Sequence, residues 1–150
     1  IKKATILGFS DGGNTALCFA AKYPELVDRL IVWGANLYPS GVKNIAMIPI
    51  RILRKIVDLI SKIDIRAKLH SEKLALVTNE PYISETELEN IHARTLILGG
   101  THDIIKTEHT RLISRCIPKA KLCLIPGGHF ISSRKPKIFN KAVLNFLEEK

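Results

Sequence analysis

The sequence predicts an α/β fold, a mostly parallel sheet with helices on both faces. Two features carry that reading. Four short apolar runs recur along the chain, each continuous rather than alternating, as strands buried on both sides read. Helix-forming stretches separate them, which is the order a parallel sheet requires. At 150 residues, 46% hydrophobic and 25% charged, the chain has the size and composition of one globular domain rather than a disordered segment.

The first run, Ala4 to Leu7, ends at Gly8. After a glycine-rich turn, Asn14 to Lys22 carries the helix formers Ala16, Leu17, Ala20 and Ala21, and Tyr23-Pro24 stops that helix. Leu30 to Trp33 is the second run, closed by Gly34. Leu96 to Leu98 is the third, closed by Gly99-Gly100. A helical segment, Glu108 to Cys116, turns Leu112 and Ile113 inward and leads to the fourth run, Leu122 to Ile125, closed by Pro126-Gly127-Gly128. The last helix starts at Pro136, a residue suited to a first helical turn, and repeats Ile138, Phe139, Ala142, Val143, Phe146 and Leu147 on one face.

Residues 38–90 interrupt this rhythm with a helical insertion. Ile52, Leu53, Ile56, Val57, Leu59, Ile60 and Ile63 form a wide apolar stripe opposed by Arg51, Arg54, Lys55, Asp58 and Lys62. Ser84 and Glu87 have the spacing of a capping box. Insertions at strand C-termini commonly cover an active site, and a cap or lid is the expected role. A basic amphipathic helix of this kind also suits a membrane surface, the less favoured reading.

Charge and cysteines exclude several classes. Twenty-three Lys and Arg against fourteen Asp and Glu give +9, yet the basic residues are scattered and no nucleic-acid motif or aromatic stacking platform accompanies them. Nucleic acid is therefore not an expected partner. Cys18, Cys116 and Cys123 form neither CxxC nor a metal spacing, so no metal and no disulfide framework is expected, and reduced thiols point to the cytoplasm. No phosphate loop or dinucleotide spacing is present among Gly8, Gly12 and Gly13, and no cofactor is expected. No run reaches the length of a membrane span, and no signal peptide is visible. The chain opens Ile1-Lys2-Lys3 straight into a strand, which reads as a piece of a longer protein.

The chemistry concentrates at three strand ends. Gly8-Phe9-Ser10-Asp11-Gly12 sits where an apolar strand meets a helix and matches the G-x-S-x-G nucleophile elbow. A serine on such a turn presents its hydroxyl above the sheet, beside backbone N–H groups at a helix start. A hydroxyl needs a base, and the base needs an orienting acid. Asp103 follows the third strand and His129 the fourth, which gives the order Ser, Asp, His at one edge of the sheet. The alternative acid position, after the second strand, holds Asn36, which carries no charge.

These residues, with Ala20-Ala21-Lys22-Tyr23-Pro24, Trp33-Gly34-Ala35-Asn36, Asp103-Ile104-Ile105-Lys106 and Gly127-Gly128-His129-Phe130, resemble the C-terminal half of the α/β-hydrolases, in particular the valacyclovir-hydrolase-like (biphenyl-hydrolase-like) esterases and related bacterial hydrolases. The resemblance covers the chain outside the insertion. It implies Ser10 as nucleophile, Asp103 as acid, His129 as general base and the Asp11 N–H as one oxyanion donor. It also implies four further strands upstream with a His-Gly loop as the second donor, so that residues 1–150 are a partial hydrolase domain. An upstream half or a self-association partner is then expected at the first strand, which otherwise becomes an exposed edge.

The expected function is a serine hydrolase acting on a small-molecule ester or amide through an acyl-enzyme. The resemblance implies that the Asp11 carboxylate pairs with the ammonium of an α-amino-acid ester, while the residues alone fit as well a carboxylate that only complements the dipole at a helix start. Trp33 packs at a strand end and is the candidate pocket wall. The alternative is a catalytically incomplete hydrolase-like fragment serving as a binding or assembly module. His70, His92, His102 and His109 are expected to be solvated, and Cys18 and Cys123 to be small core residues.

Overall fold

Successive side chains of a strand point to opposite faces, and here both faces are apolar. Leu30 and Val32 enter one core while Ile31, between them, enters the other. A computed structural model describes residues 2–149. Its sheet contains β1 (Ala4–Phe9), β2 (Val27–Trp33), β3 (Arg94–Gly100) and β4 (Ala120–Ile125), all parallel and side by side in chain order. The α/β prediction holds, with each strand longer by a few residues than its apolar run.

On one face lie α1 (Asp11–Lys22), α4 (Glu85–Glu89) and α5 (Thr107–Cys116), packed through Leu17, Leu30, Val32, Leu88, Ile97 and Ile113. On the other lies α7 (Pro136–Glu148), whose Phe139, Val143 and Phe146 meet Ile31, Leu96, Leu98 and Ile125. The short α6 (Ile131–Arg134) buries Ile131 in the same core. Ile138 falls at the border of the α7 stripe and stays half exposed.

The insertion consists of α2 (Asn44–Ile60), α3 (Ile65–Asn79) and α4. The Arg54 guanidinium donates to Thr78 and to Asn79 Oδ1, and Ser71 donates to Asp58, so α2 and α3 are pinned by polar contacts. Asp64 caps α3 by accepting from the Arg66 N–H at 2.8 Å. The Ser84–Glu87 capping box forms, with each side chain accepting the other's backbone N–H. The α2 stripe behaves differently from expectation. Val57 is half-buried and the rest of the stripe faces solvent, while the side of α2 that is covered carries Met47 and Ile50. No helix among the described residues is long and apolar enough to cross a membrane.

Two residues depart from the sequence reading. Cys18 is exposed, not core, because the buried face of α1 is set by Gly13, Asn14, Ala16, Leu17 and Ala20, and Cys18 projects about 100° from Leu17. His109 is buried, not solvated. It sits in the first turns of α5, accepts the Leu37 N–H on Nε2 at 2.9 Å, and meets the edge of the Tyr38 ring at 4.6 Å between centroids. His70, His92 and His102 are exposed as expected.

Burial, and then the nearby Lys106, hold His109 below the ordinary histidine value. The fold therefore favours the neutral ring, and the unfolded chain takes up the proton first as pH falls. Stability tied to His109 is complete above a histidine's usual pKa of about 6.5 and is lost as pH drops from there through the lowered folded value. Thermal melts across about pH 5 to 8 should show this loss on the acid side. His109→Gln, which keeps an acceptor but does not titrate, should flatten that limb.

Candidate active site

Parallel strands place their C-terminal ends at one edge, and three of the four ends supply the site. Between β1 and α1 the chain reverses at Ser10, whose φ of 53° is in the left-handed region that non-glycine residues rarely occupy. The turn is held from both sides. The Ser10 N–H donates to the Trp33 carbonyl at 2.9 Å, and the Ser10 carbonyl accepts from Gly13 at 2.8 Å and Asn14 at 3.0 Å. Gly8 makes the reversal possible, since a Cβ there would lie 2.6 Å from the Gly12 oxygen and 2.8 Å from the Gly13 Cα. At Gly12 itself a Cβ would meet nothing within 4 Å, so only the upstream glycine of the motif is sterically required.

Asp103 follows β3 and is 3% exposed. Its Oδ1 accepts from the Ile105 N–H at 3.1 Å and from His129 Nδ1 at 2.7 Å. Burial alone pushes this carboxyl up, but the hydrogen bonds from His129 and Ile105 outweigh it and hold the group below its ordinary value. An ionised Asp103 only accepts, so Nδ1 carries the proton and Nε2 presents a lone pair to the Ser10 Oγ, 3.1 Å away. The ring is steadied by Phe9 at 4.9 Å and Phe130 at 5.5 Å between centroids. Ser10, Asp103 and His129 are thus brought together in one hydrogen-bonded line.

Beside Ser10 opens a cavity of about 420 Å³. Its walls are mostly apolar: Val42, Ala46, Met47 and Ile50 at the start of the insertion, Leu76 from α3, and Ile104 and Ile105 from the loop after β3. Asp11 and Glu80 supply the carboxylates of the lining. Trp33 is not part of it. The indole stacks on Phe9 at 5.4 Å and meets Phe139 edge-on at 4.9 Å, and its buried Nε1 has no acceptor among the described residues.

Two lining residues were missed in sequence. Asn14 and Asn36 are both buried, and Asn14 Oδ1 accepts the Asn36 N–H at 2.9 Å while its Nδ2 donates to Asn36 Oδ1 at 3.3 Å. Asn36 Nδ2 donates to the Tyr38 carbonyl at 3.1 Å. The available signal was a polar residue four positions after the serine, on the otherwise apolar inner face of α1. No group of His, Cys, Asp and Glu among the described residues is arranged to hold a metal ion.

No family model matches the chain. It is 28% identical to human serine hydrolase BPHL, over 98% of this chain and 55% of that protein. It therefore spans about half the length of the curated relatives it matches. The meta-cleavage product hydrolase CumD of Pseudomonas fluorescens superposes with a TM-score of 0.72 at 23% identity, over 98% of this chain and 65% of that one. An α/β fold family hydrolase from Bacillus anthracis gives 0.73 at 19% identity, over 97% and 68%.

Gly34 ties this geometry to one backbone choice. It has φ +66°, and a Cβ there would sit 2.8 Å from His129 Cε1. Gly34→Ala should displace the imidazole and slow fluorophosphonate labelling of Ser10 by about 100-fold. The cost in thermal stability should stay near 1–2 kcal/mol.

Proposed function

We propose that this chain, an α/β-hydrolase in fold that resembles BPHL-type serine hydrolases, supplies the catalytic triad of an enzyme that cleaves an ester or amide through an acyl-enzyme. The observation that carries the reading is the continuous line from Ser10 Oγ through the His129 ring to buried Asp103, at 3.1 and 2.7 Å. In this reading His129 Nε2 takes the hydroxyl proton as Ser10 Oγ attacks the substrate carbonyl. The Asp11 N–H, at the first position of α1, stabilises the oxyanion of the tetrahedral intermediate. The imidazolium then gives its proton to the leaving oxygen or nitrogen as the carbonyl–heteroatom bond breaks. Water, deprotonated by the same nitrogen, releases the acid and restores Ser10.

The finer reading concerns the substrate. The Asp11 carboxylate lines a mostly apolar cavity within one residue of the nucleophile, where an ammonium on the acyl group can meet it in a charge-assisted hydrogen bond. This supports α-amino-acid esters with apolar side chains as the preferred class. A carboxylate at a helix start also complements the helix dipole, and that stabilising role coexists with the binding one. The partial domain, residues 38–90 as its cap and a cytoplasmic setting for its free thiols belong to the same reading.

With the upstream half restored, fluorophosphonate should label the wild-type protein and not Ser10→Ala; label of equal intensity in both moves the nucleophile elsewhere. Asp103→Asn should keep the fold and lower kcat by roughly 10,000-fold, through the wrong histidine tautomer. For substrate class, kcat/KM for an aminoacyl ester should exceed that for its N-acetyl analogue in wild type and not in Asp11→Asn. Equal values in the wild type end the amino-ester reading while leaving the triad untouched.

A further inference from the structure

The insertion carries an apolar surface that nothing among the described residues covers. On α2, Ile45, Ile52 and Ile56 are 81%, 55% and 51% exposed, and they recur at helical spacing along one face. The turn into α3 adds Ile63 at 89% and Ile65 at 75%. Single exposed isoleucines are ordinary on a protein surface, but a run of this extent marks an interaction site.

The charges around it select the partner. Between Lys43 and Asn79 the sequence places eight Lys or Arg against three Asp or Glu. Two of those acids are engaged, Asp58 beside Arg54 and Asp64 as the α3 cap. Arg51, Lys55, Lys62, Arg66, Lys68 and Lys73 are exposed and form no ion pair among the described residues. Arg51 and Lys55, one turn apart, border the isoleucine face of α2. A second copy of this chain brings the same positive border and is repelled by it. A lipid surface with anionic headgroups accepts both features at once. Isoleucines enter the acyl boundary while Lys and Arg extend to the phosphates.

We propose that the outer face of α2, with the α2–α3 turn, docks this protein on an anionic bilayer. The helix lies in the interface plane and does not span. The inference is independent of the hydrolase reading, and its test reads no activity.

The purified chain is sedimented with vesicles of phosphatidylcholine, with and without phosphatidylglycerol. Binding should require the anionic lipid and weaken as salt is raised. Ile52→Glu with Ile56→Glu should reduce it by about tenfold or more. Arg51→Glu with Lys55→Glu leaves the isoleucines in place and should remove the preference for phosphatidylglycerol. All four positions are exposed, and circular dichroism checks that both variants keep the wild-type helix content. Absence of wild-type binding, or equal binding by the isoleucine variant, overturns the proposal. A dimer in sedimentation that the isoleucine variant dissociates, with no vesicle binding, overturns it in favour of a second copy as the occupant.

Discussion

Parallel pairing is the constraint on which the rest of the structure depends. Because β1 to β4 run the same way, every loop that follows a strand emerges at one edge, and residues as far apart as Ser10 and His129 become neighbours. The sheet does not have to fold the site separately; it needs only to hold register. Gly8 opposite Val32 and Leu98 opposite Cys123 fix how far each loop stands above the edge. A slip of one residue would carry every strand side chain to the wrong core.

The loop after β2 shows how the edge is kept rigid. Its backbone is gripped from three elements: Asn14 of α1 holds Asn36, His109 of α5 holds Leu37, and the Ile83 N–H donates to the Leu37 carbonyl. Gly34 at its start lies against the His129 ring. Buried polar groups stabilise only when their partners are present, and here nearly all are. Among the described side chains Trp33 Nε1 is the exception, and its indole packs between Phe9 and Phe139.

Legibility in the sequence followed the kind of force at work. Strands and the α7 helix were readable because apolar periodicity reports directly which side is buried, and Phe139, Val143 and Phe146 repeat without interruption. The positions of Ser10, Asp103 and His129 were readable because each closes an apolar run. His109 was not, because nothing local to α5 announces that a backbone N–H of a distant loop needs an acceptor. Asn14 and Asn36 were hidden for the same reason: each solves the other's burial, and neither is unusual alone. The α2 stripe was read correctly as amphipathic, but a periodicity does not say which neighbour it meets.

The sheet is also unequal across its width. Among the described residues, β2 and β3 are bonded on both sides, while β1 pairs only with β2 and β4 only with β3. Asp103 follows β3, which is bonded on both sides, while Ser10 follows β1 and His129 follows β4. The contact between Ser10 and His129 thus joins the two outer strands of the described sheet, and buried Asp103 ties it to the interior.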